Sequence, residues 1–380
     1  MNRLTRRDVL RLSAVAASGV AAPRLLRAGT RAPAAPVAIT RATDYDKEMV
    51  QALDRAFELL GGLHGMMAGK TVAVKVNLTG GVRPVLGGRS AGQTYHVHPA
   101  FVLACCRAFA RAGARRIRLL EGWDSKVSAE KFLAECSWDL AALRGIDARV
   151  EFENTNNRGT GRRYADLKAA NGGYIFPAYH FNHSYEDCDV FVSLAKLKNH
   201  YTAGVTLSLK NCFGCAPSSF YGDDAGSETA GRSRGRIFHE GRANPPAPAA
   251  PERDKSTPRD GGYRVPRITA DIVSAIHPIN LAILDGIQTV QGGEGPWIKP
   301  LRIVDPGLVV AGLNPVCTDA VCTSVMGYDP AGEFADPPFY RGDNHMKLAE
   351  AIGVGSIDLG RIEVRGLSIQ QALHVFEPRA

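Results

Sequence analysis

Residues 196–215 read KLKNHYTAGVTLSLKNCFGC and place three lysines, one histidine and two cysteines in a stretch otherwise rich in apolar residues. Amines beside an imidazole suit two kinds of chemistry: neutralising a carboxylate or phosphate, and moving a proton near neutral pH. Between 196 and 210 the even positions are Lys196, Lys198, His200, Thr202, Gly204, Thr206, Ser208 and Lys210, and the odd ones are apolar or aromatic apart from Asn199. In an extended chain this period of two puts every polar group on one face. A face turned to bulk water would explain that pattern without any function. The preceding DVFVSLA, however, reads as a central buried strand, and amines buried there need anionic partners. The competing local structure is a helix from about Thr202, whose first N–H groups would join Lys196 and Lys198 as an anion site. Both geometries point to a small negatively charged ligand. The neighbouring ammonium groups should lower the pKa of His200 and keep its imidazole neutral and able to take a proton.

Other residues of this kind end apolar runs. TVAVKVN (71–77), RIRLLEG (116–122), DVFVSLAK (189–196), NLAILDG (280–286), GLVVAGLN (307–314) and RIEVRG (361–366) read as strands. Helical patterns lie at 99–112, 127–136, 267–277, 315–326 and 344–352. Nearly continuous apolar strands separated by helices predict an α/β fold with a mostly parallel sheet and helices on both faces, and two lobes around a crevice. Asn77, Glu121, Lys196, Asp285 and Asn314 stand at or just after strand ends, where such sheets border their ligand crevice. Asn314-Pro315 reads as a helix cap followed by proline at the first helical position. Lys75 with Asn77, and Lys196 with Lys198, are candidate substrate ligands. Glu121 and Asp285 would hold a cation or serve as the opposing acid or base. With Asp319 they suggest a divalent metal.

The chain divides into residues 1–31, an N-terminal extension and helix at 32–69, a first α/β part at 70–226, an insertion at 227–262 and a second α/β part at 263–380. The insertion is rich in Pro, Gly, Arg and Ser, as a lid or a disordered loop would be. RIFHEG (236–241) is its one semi-apolar island, so His239 is either a metal ligand or a solvated loop histidine. The formal net charge of +8 is concentrated at the start: seven arginines against Asp8 give +6 for residues 1–31 and leave +2 for the remainder. No later basic patch is interleaved with aromatics, which argues against nucleic acid as a partner. Thr5-Arg6-Arg7-Asp8-Val9-Leu10 followed by the alanine-rich run 12–22 reads as a twin-arginine export signal. A run of about eleven residues is too short to span a bilayer as a helix. Cys105, Cys106, Cys317 and Cys322 fall in apolar helical patterns and read as core packing. Cys212-x-x-Cys215 has metal or redox spacing, but a cluster needs about four ligands and no second such pair exists to complete it.

The ordered set Lys75-x-Asn77, Glu121-Gly122, Lys196-x-Lys198-x-His200, Ser208-x-Lys210-Asn211-x-x-Gly214, Asp285-Gly286, Gly295-Pro296 and Asn314-Pro315-x-x-x-Asp319 resembles the domain of unknown function 362 family, from about residue 70 to 366. That family is sometimes found in iron–sulfur proteins with ferredoxin modules alongside, and no such module is seen here. HYTAGVTLSLK (200–210) is similar in spacing to an active-site segment of the lactate racemase family. There a lysine tethers a nickel-pincer nucleotide and a histidine is the acid/base on a 2-hydroxy acid. The resemblance implies His200 as acid/base and Lys210 as tether, with His98 and His239 in the order of two further histidines. Ser208-Leu209 departs from that family's small dipeptide before the lysine.

The expected function is acid/base chemistry, as in a racemase, epimerase or redox-like enzyme, on a small anionic substrate. His200, Lys210 and Glu121 would be catalytic, Lys75, Asn77, Lys196, Lys198 and Asn211 would bind substrate, and Asp285, Asp319 and His239 would hold a metal. A divalent metal or a lysine-tethered nickel group is the cofactor expected; the alternatives are a periplasmic binding protein for an anionic solute and an iron–sulfur-associated protein without catalysis. Export by the twin-arginine translocase would place the chain in the periplasm or another extracytoplasmic space. Replacing Arg6 and Arg7 with lysine should trap the precursor in the cytoplasm, as read by fractionation and immunoblotting; unchanged export would exclude that route.

Overall fold

A computed structural model describes residues 31–81, 86–231 and 233–377. The Arg6-Arg7 signal and the run 12–22 lie outside the described residues. Eight strands form one sheet: β1 (Val37–Arg41), β2 (Thr71–Lys75), β3 (Arg116–Glu121), β4 (Arg149–Asn154), β5 (Val190–Lys196), β6 (Ile279–Gly286), β7 (Leu308–Gly312) and β8 (Val364–Gly366). Their spatial order is β8-β1-β7-β6-β5-β2-β3-β4. β7 pairs antiparallel with both β1 and β6, and every other pair in the sheet is parallel, so β7 alone runs against the rest. β2, β5 and β7 are buried at every position, as central strands covered on both faces must be. The edge strand β4 mixes charged and half-buried residues.

The two faces carry separate helical layers. On one lie α1 (Lys47–Leu59) and α2 (Pro99–Arg111). α2 begins with Pro99 after His98, whose Nδ1 accepts from Ala100 N at 3.2 Å, and buries Phe101, Cys105 and Phe109 at helical spacing. On the other face lie α3 (Leu207–Asn211), α4 (Gly261–Ala275) and α5 (Pro315–Val325). Asn314 caps α5, its Oδ1 accepting from Val316 N at 3.0 Å and Cys317 N at 3.1 Å. Cys105, Cys106, Cys317 and Cys322 are core residues, and all eight cysteines stand as free thiols.

Three expectations differ from what is seen. The second half of the chain adds β6, β7 and β8 to the same sheet instead of forming a second lobe, and the described residues from Ala32 onward make one compact unit. The alternation from 196 to 210 is not one extended strand. β5 ends at Lys196, Asn199–His200 turns back on Gly204–Val205 as a short antiparallel pair, and α3 follows. Gly204 permits this turn: its φ is +77°, and a Cβ there would lie 2.8 Å from the Phe339 ring. Of the two readings of the insertion, a lid or a disordered loop, the second does not hold for its described residues around Phe238 and Glu252. Phe238 is fully buried against Phe213 and Tyr221, and Arg264 of α4 donates to the carbonyls of Ile237 at 2.9 Å and Phe238 at 3.2 Å while pairing with Glu252.

The chain leaves β2 toward β3 and β4 on one side and returns to β5 and β6 on the other. Such a reversal between neighbouring strands opens a crevice outside their carboxyl ends. Two strand-end residues of β5 and β6 are in register there, Lys196 opposite Asp285. Their side chains form an ion pair at 2.8 Å with no solvent exposure on either. Lys196 Nζ also donates to Gly92 O at 2.7 Å and Tyr45 OH at 3.0 Å, while Asp285 accepts from Tyr45 OH and His98 N, each at 2.9 Å. Removing one partner strands the other charge in a dry site. Lys196→Met or Asp285→Leu should each lower unfolding free energy by about 3–5 kcal/mol in urea titration, and the Lys196→Met/Asp285→Leu double variant should cost less than the two single effects added.

Candidate functional site

Above these strand ends lies a cleft of about 720 Å³, within the size range of small-molecule sites. Its floor carries Lys75 and Asn77 from the end of β2, Glu121 from β3 and Asn211 from α3. Lys75 Nζ donates to Glu121 Oε1 at 2.9 Å, to Val76 O at 2.6 Å and to Asn211 Oδ1 at 3.4 Å. The second carboxylate oxygen of Glu121 accepts from Leu78 N at 2.8 Å, and Oε1 also accepts from Gly122 N at 2.8 Å. Glu121 is thereby fully engaged in positioning the floor. Asn77 gives its Nδ2 to Asn211 Oδ1 at 3.1 Å, and its own Oδ1 is buried with no protein partner among the described residues. That atom is an acceptor left for a ligand.

One wall is formed by His200, Lys210 and Phe213. Lys210 Nζ lies over the Phe213 ring, 4.0 Å from its centroid, and has no hydrogen-bond or ion-pair partner among the described residues. Burial lowers its pKa to about 7, and Arg234 and Lys75 push the same way against Glu294. His200 Nδ1 accepts from the N–H groups of Thr202 at 3.2 Å and Ala203 at 3.3 Å, so the proton of the neutral ring sits on Nε2. Burial holds its pKa well below the ordinary value, aided by Lys210 and Lys198 against Glu294.

The cover comes from two loops. The insertion contributes Arg234 and His239, and the loop after β6 contributes Glu294 and Trp297. Arg234 donates through Nε to Ala216 O at 2.7 Å and through Nη2 to Asn156 Oδ1 at 3.0 Å. His239 is lowered to about 4 by burial and by Lys210. Glu294 accepts from Tyr201 N at 2.8 Å and Trp297 Nε1 at 3.0 Å. Burial alone would raise its pKa, but His200 and these two donors outweigh it and hold the carboxyl at about 2.

The predicted residues thus separate. Lys75, Asn77, Glu121, His200, Lys210, Asn211 and His239 line the cleft. Lys196 and Asp285 are locked together beneath it. Lys198, fully buried and lowered to about 7 by burial, donates to Tyr95 O at 2.5 Å and Glu294 O at 2.8 Å. Lys75, Lys196 and Lys198 are therefore bound by the protein's own oxygens, and Lys210 is the lysine of this group left for an external anion. Asp319 does not face the cleft. Its two oxygens accept from Ser208 N and Leu209 N, each at 2.8 Å, and fix the start of α3. Asp285, Asp319 and His239 hence do not meet, and no group of three or more His, Cys, Asp or Glu side chains is gathered as a metal site among the described residues. The donor set does not fit a protein-held divalent metal. His98 lies outside the cleft lining too: it stacks on Tyr45 at 3.7 Å and caps α2.

Glu294, Arg234 and Trp297 were not singled out from the sequence. A carboxylate inside a glycine-rich loop following a strand end, as in QGGEGPW, is the signal that marks Glu294. Arg234 carries no comparable signal among the many arginines of the insertion.

Residues 72–324 match the family model described as Domain of unknown function (DUF362). The chain belongs to that family. Every cleft residue named above, from Lys75 to Trp297, lies inside the DUF362 segment. The chain is also similar to the thylakoid-associated protein sll1697 of Synechocystis sp., with 27% identity over 303 residues, covering 78% of this chain and 75% of that protein. Among solved structures it is similar to the lactate racemase apoprotein from Thermoanaerobacterium thermosaccharolyticum, with a TM-score of 0.37, 11% identity, and coverage of 71% of this chain and 54% of that one. A likeness of that size carries no argument about chemistry.

The Lys210 amine should titrate apart from the exposed lysines. Pulsed acetylation read by peptide mass spectrometry should give a reactivity midpoint near pH 7 for Lys210, against about 10.4 for ordinary lysines; a common midpoint would contradict the geometry.

Proposed function

We propose that this DUF362 protein is an enzyme that performs acid/base chemistry on a small carboxylate held in the cleft. The observation that carries this reading is the Lys210 amine, which stands over Phe213 in the cleft without an acceptor of its own. Two neutral imidazoles and one ionised carboxylate surround it. A substrate carboxylate brought to Lys210 supplies the missing anion, and Asn77 Oδ1 is available for a substrate hydroxyl.

The imidazoles take different roles. His200, with Nδ1 occupied by two backbone N–H groups, presents Nε2–H and acts as a donor to a substrate oxygen. His239 has a half-buried neutral ring with no hydrogen-bond partner among the described residues, which suits it to accept a proton. Glu294 compensates the positive charge that develops on His239 when it accepts the proton. His239 takes the hydrogen from the carbon next to the carboxylate while His200 donates to the oxygen that gains the charge. Return of a solvent-derived proton to the opposite face of that carbon racemises or epimerises a hydroxy acid. Export through Arg6-Arg7 would make the enzyme extracytoplasmic. The full chain, incubated in deuterated buffer with 2-hydroxy acids, should incorporate deuterium at the carbon next to the carboxylate, followed by NMR; His239→Ala should abolish incorporation. Binding with no exchange would make it a solute-binding protein instead.

The pH dependence follows from the lowered Lys210 pKa of about 7. Above that value the free amine is neutral, so carboxylate binding takes up one proton. Affinity should be highest below pH 7 and fall about tenfold per unit above it, measured by calorimetry, until the pKa of the bound state is reached. Lys210→Met should remove both the binding and its pH slope.

A further inference from the structure

The environment of Lys210 is that of a nucleophile as well as of a charge. Its Nζ has carbon on one side, the Phe213 ring at 4.0 Å, and open cleft on another. Arg234 and His239 face it from the insertion, Glu294 from the loop after β6, and His200 from the turn after β5. Lys75 and Lys198 repel its ammonium form, and Lys210 in turn helps to hold the fully buried His345 neutral. Glu294 is the one anion in this set, and its oxygens are occupied by Tyr201 N and Trp297 Nε1. An ammonium is therefore poorly compensated here, and the free amine is favoured. A second cation stands ready beside it. Arg234 uses Nε and Nη2 on Ala216 O and Asn156, leaving Nη1 without a partner among the described residues at the cleft.

We infer that Lys210 forms a reversible imine with the carbonyl of a small 2-oxo acid whose carboxylate is held by Arg234. This rests on the reading of the cleft as a carboxylate-binding active site and adds a covalent step to it: the carboxylate that pairs with the Lys210 ammonium at low pH is held by Arg234 once Lys210 is the free amine. The Nζ lone pair attacks the carbonyl carbon, and the carbonyl oxygen takes a proton from His200 Nε2. The carbinolamine then loses that oxygen as water. Both hydrogens of the water derive from the amine, one relayed through each of His200 and His239, so the imine forms with no oxidant or reductant. With one further proton, taken up at the imine nitrogen from solvent, it becomes an iminium that draws electrons from the neighbouring carbon and eases proton removal there.

The test uses the full chain with pyruvate or glyoxylate and cyanoborohydride, whose hydride reduces the imine carbon to a stable secondary amine. Intact mass should show a single adduct, mapped by peptide analysis to Lys210, with the rate dropping as pH falls below 7. Lys210→Arg should remove the adduct while retaining the native circular dichroism and melting temperature. Arg234→Gln should slow trapping of pyruvate at least tenfold while leaving trapping of propanal, which has no carboxylate, within twofold. Adducts scattered over exposed lysines, or none, would overturn the imine. If acetate binding still depends on Lys210 in that event, the carboxylate site stands without it. If acetate binding is independent of Lys210 as well, both fall.

Discussion

The exclusion of water from the Lys196–Asp285 pair is the constraint on which the site depends. Two charges with no solvent exposure can persist only if each is neutralised by the other and their remaining hydrogen-bonding capacity is filled. Tyr45, Gly92 and His98 fill it, and in doing so they bring the segment after β1 and the segment before α2 to the ends of β5 and β6. Lys75 and Glu121 repeat the arrangement between β2 and β3. The crevice floor is thus a row of internally neutralised charges lying under the cleft. It is rigid for the same reason that it is unavailable to a ligand.

This also explains how far the sequence could be read. The strand-ending polar residues, the α/β alternation and the cap at Asn314 were legible because each follows from local pattern: an apolar run, a terminal polar group, a proline at the first turn. β1 and β4 were not, since VAITR is short and RVEFEN is broken by charges, and their place in the sheet is fixed by long-range pairing with β7 and β3. The division of the lysines was hidden for a related reason. Lys196, Lys198 and Lys210 look alike in a period of two, but the partner of Lys196, Asp285, is 89 positions away, and those of Lys198, Tyr95 and Glu294, are 103 and 96 positions away. Only the fold reveals which amine has been left without an oxygen.

The metal expectation failed on geometry of another sort. Asp319 sits four residues inside α5, where its carboxylate meets the exposed N–H groups at the start of α3. A short helix that begins in a buried position needs such an acceptor, because its first N–H groups have no carbonyl of their own. A carboxylate used this way carries backbone and cannot turn toward a ligand.

Part of the cleft's polar chemistry is carried by residues that the sheet does not hold. Arg234 and His239 belong to the insertion, which is pinned by Phe238 and by Arg264 rather than by strand pairing. Segments of this kind exchange length and composition with little effect on a core they merely cover. The floor and the lysine wall then act as a fixed chassis, and the insertion as an interchangeable part. Chains with the same sheet and a different insertion would keep the amine and change what is brought to it.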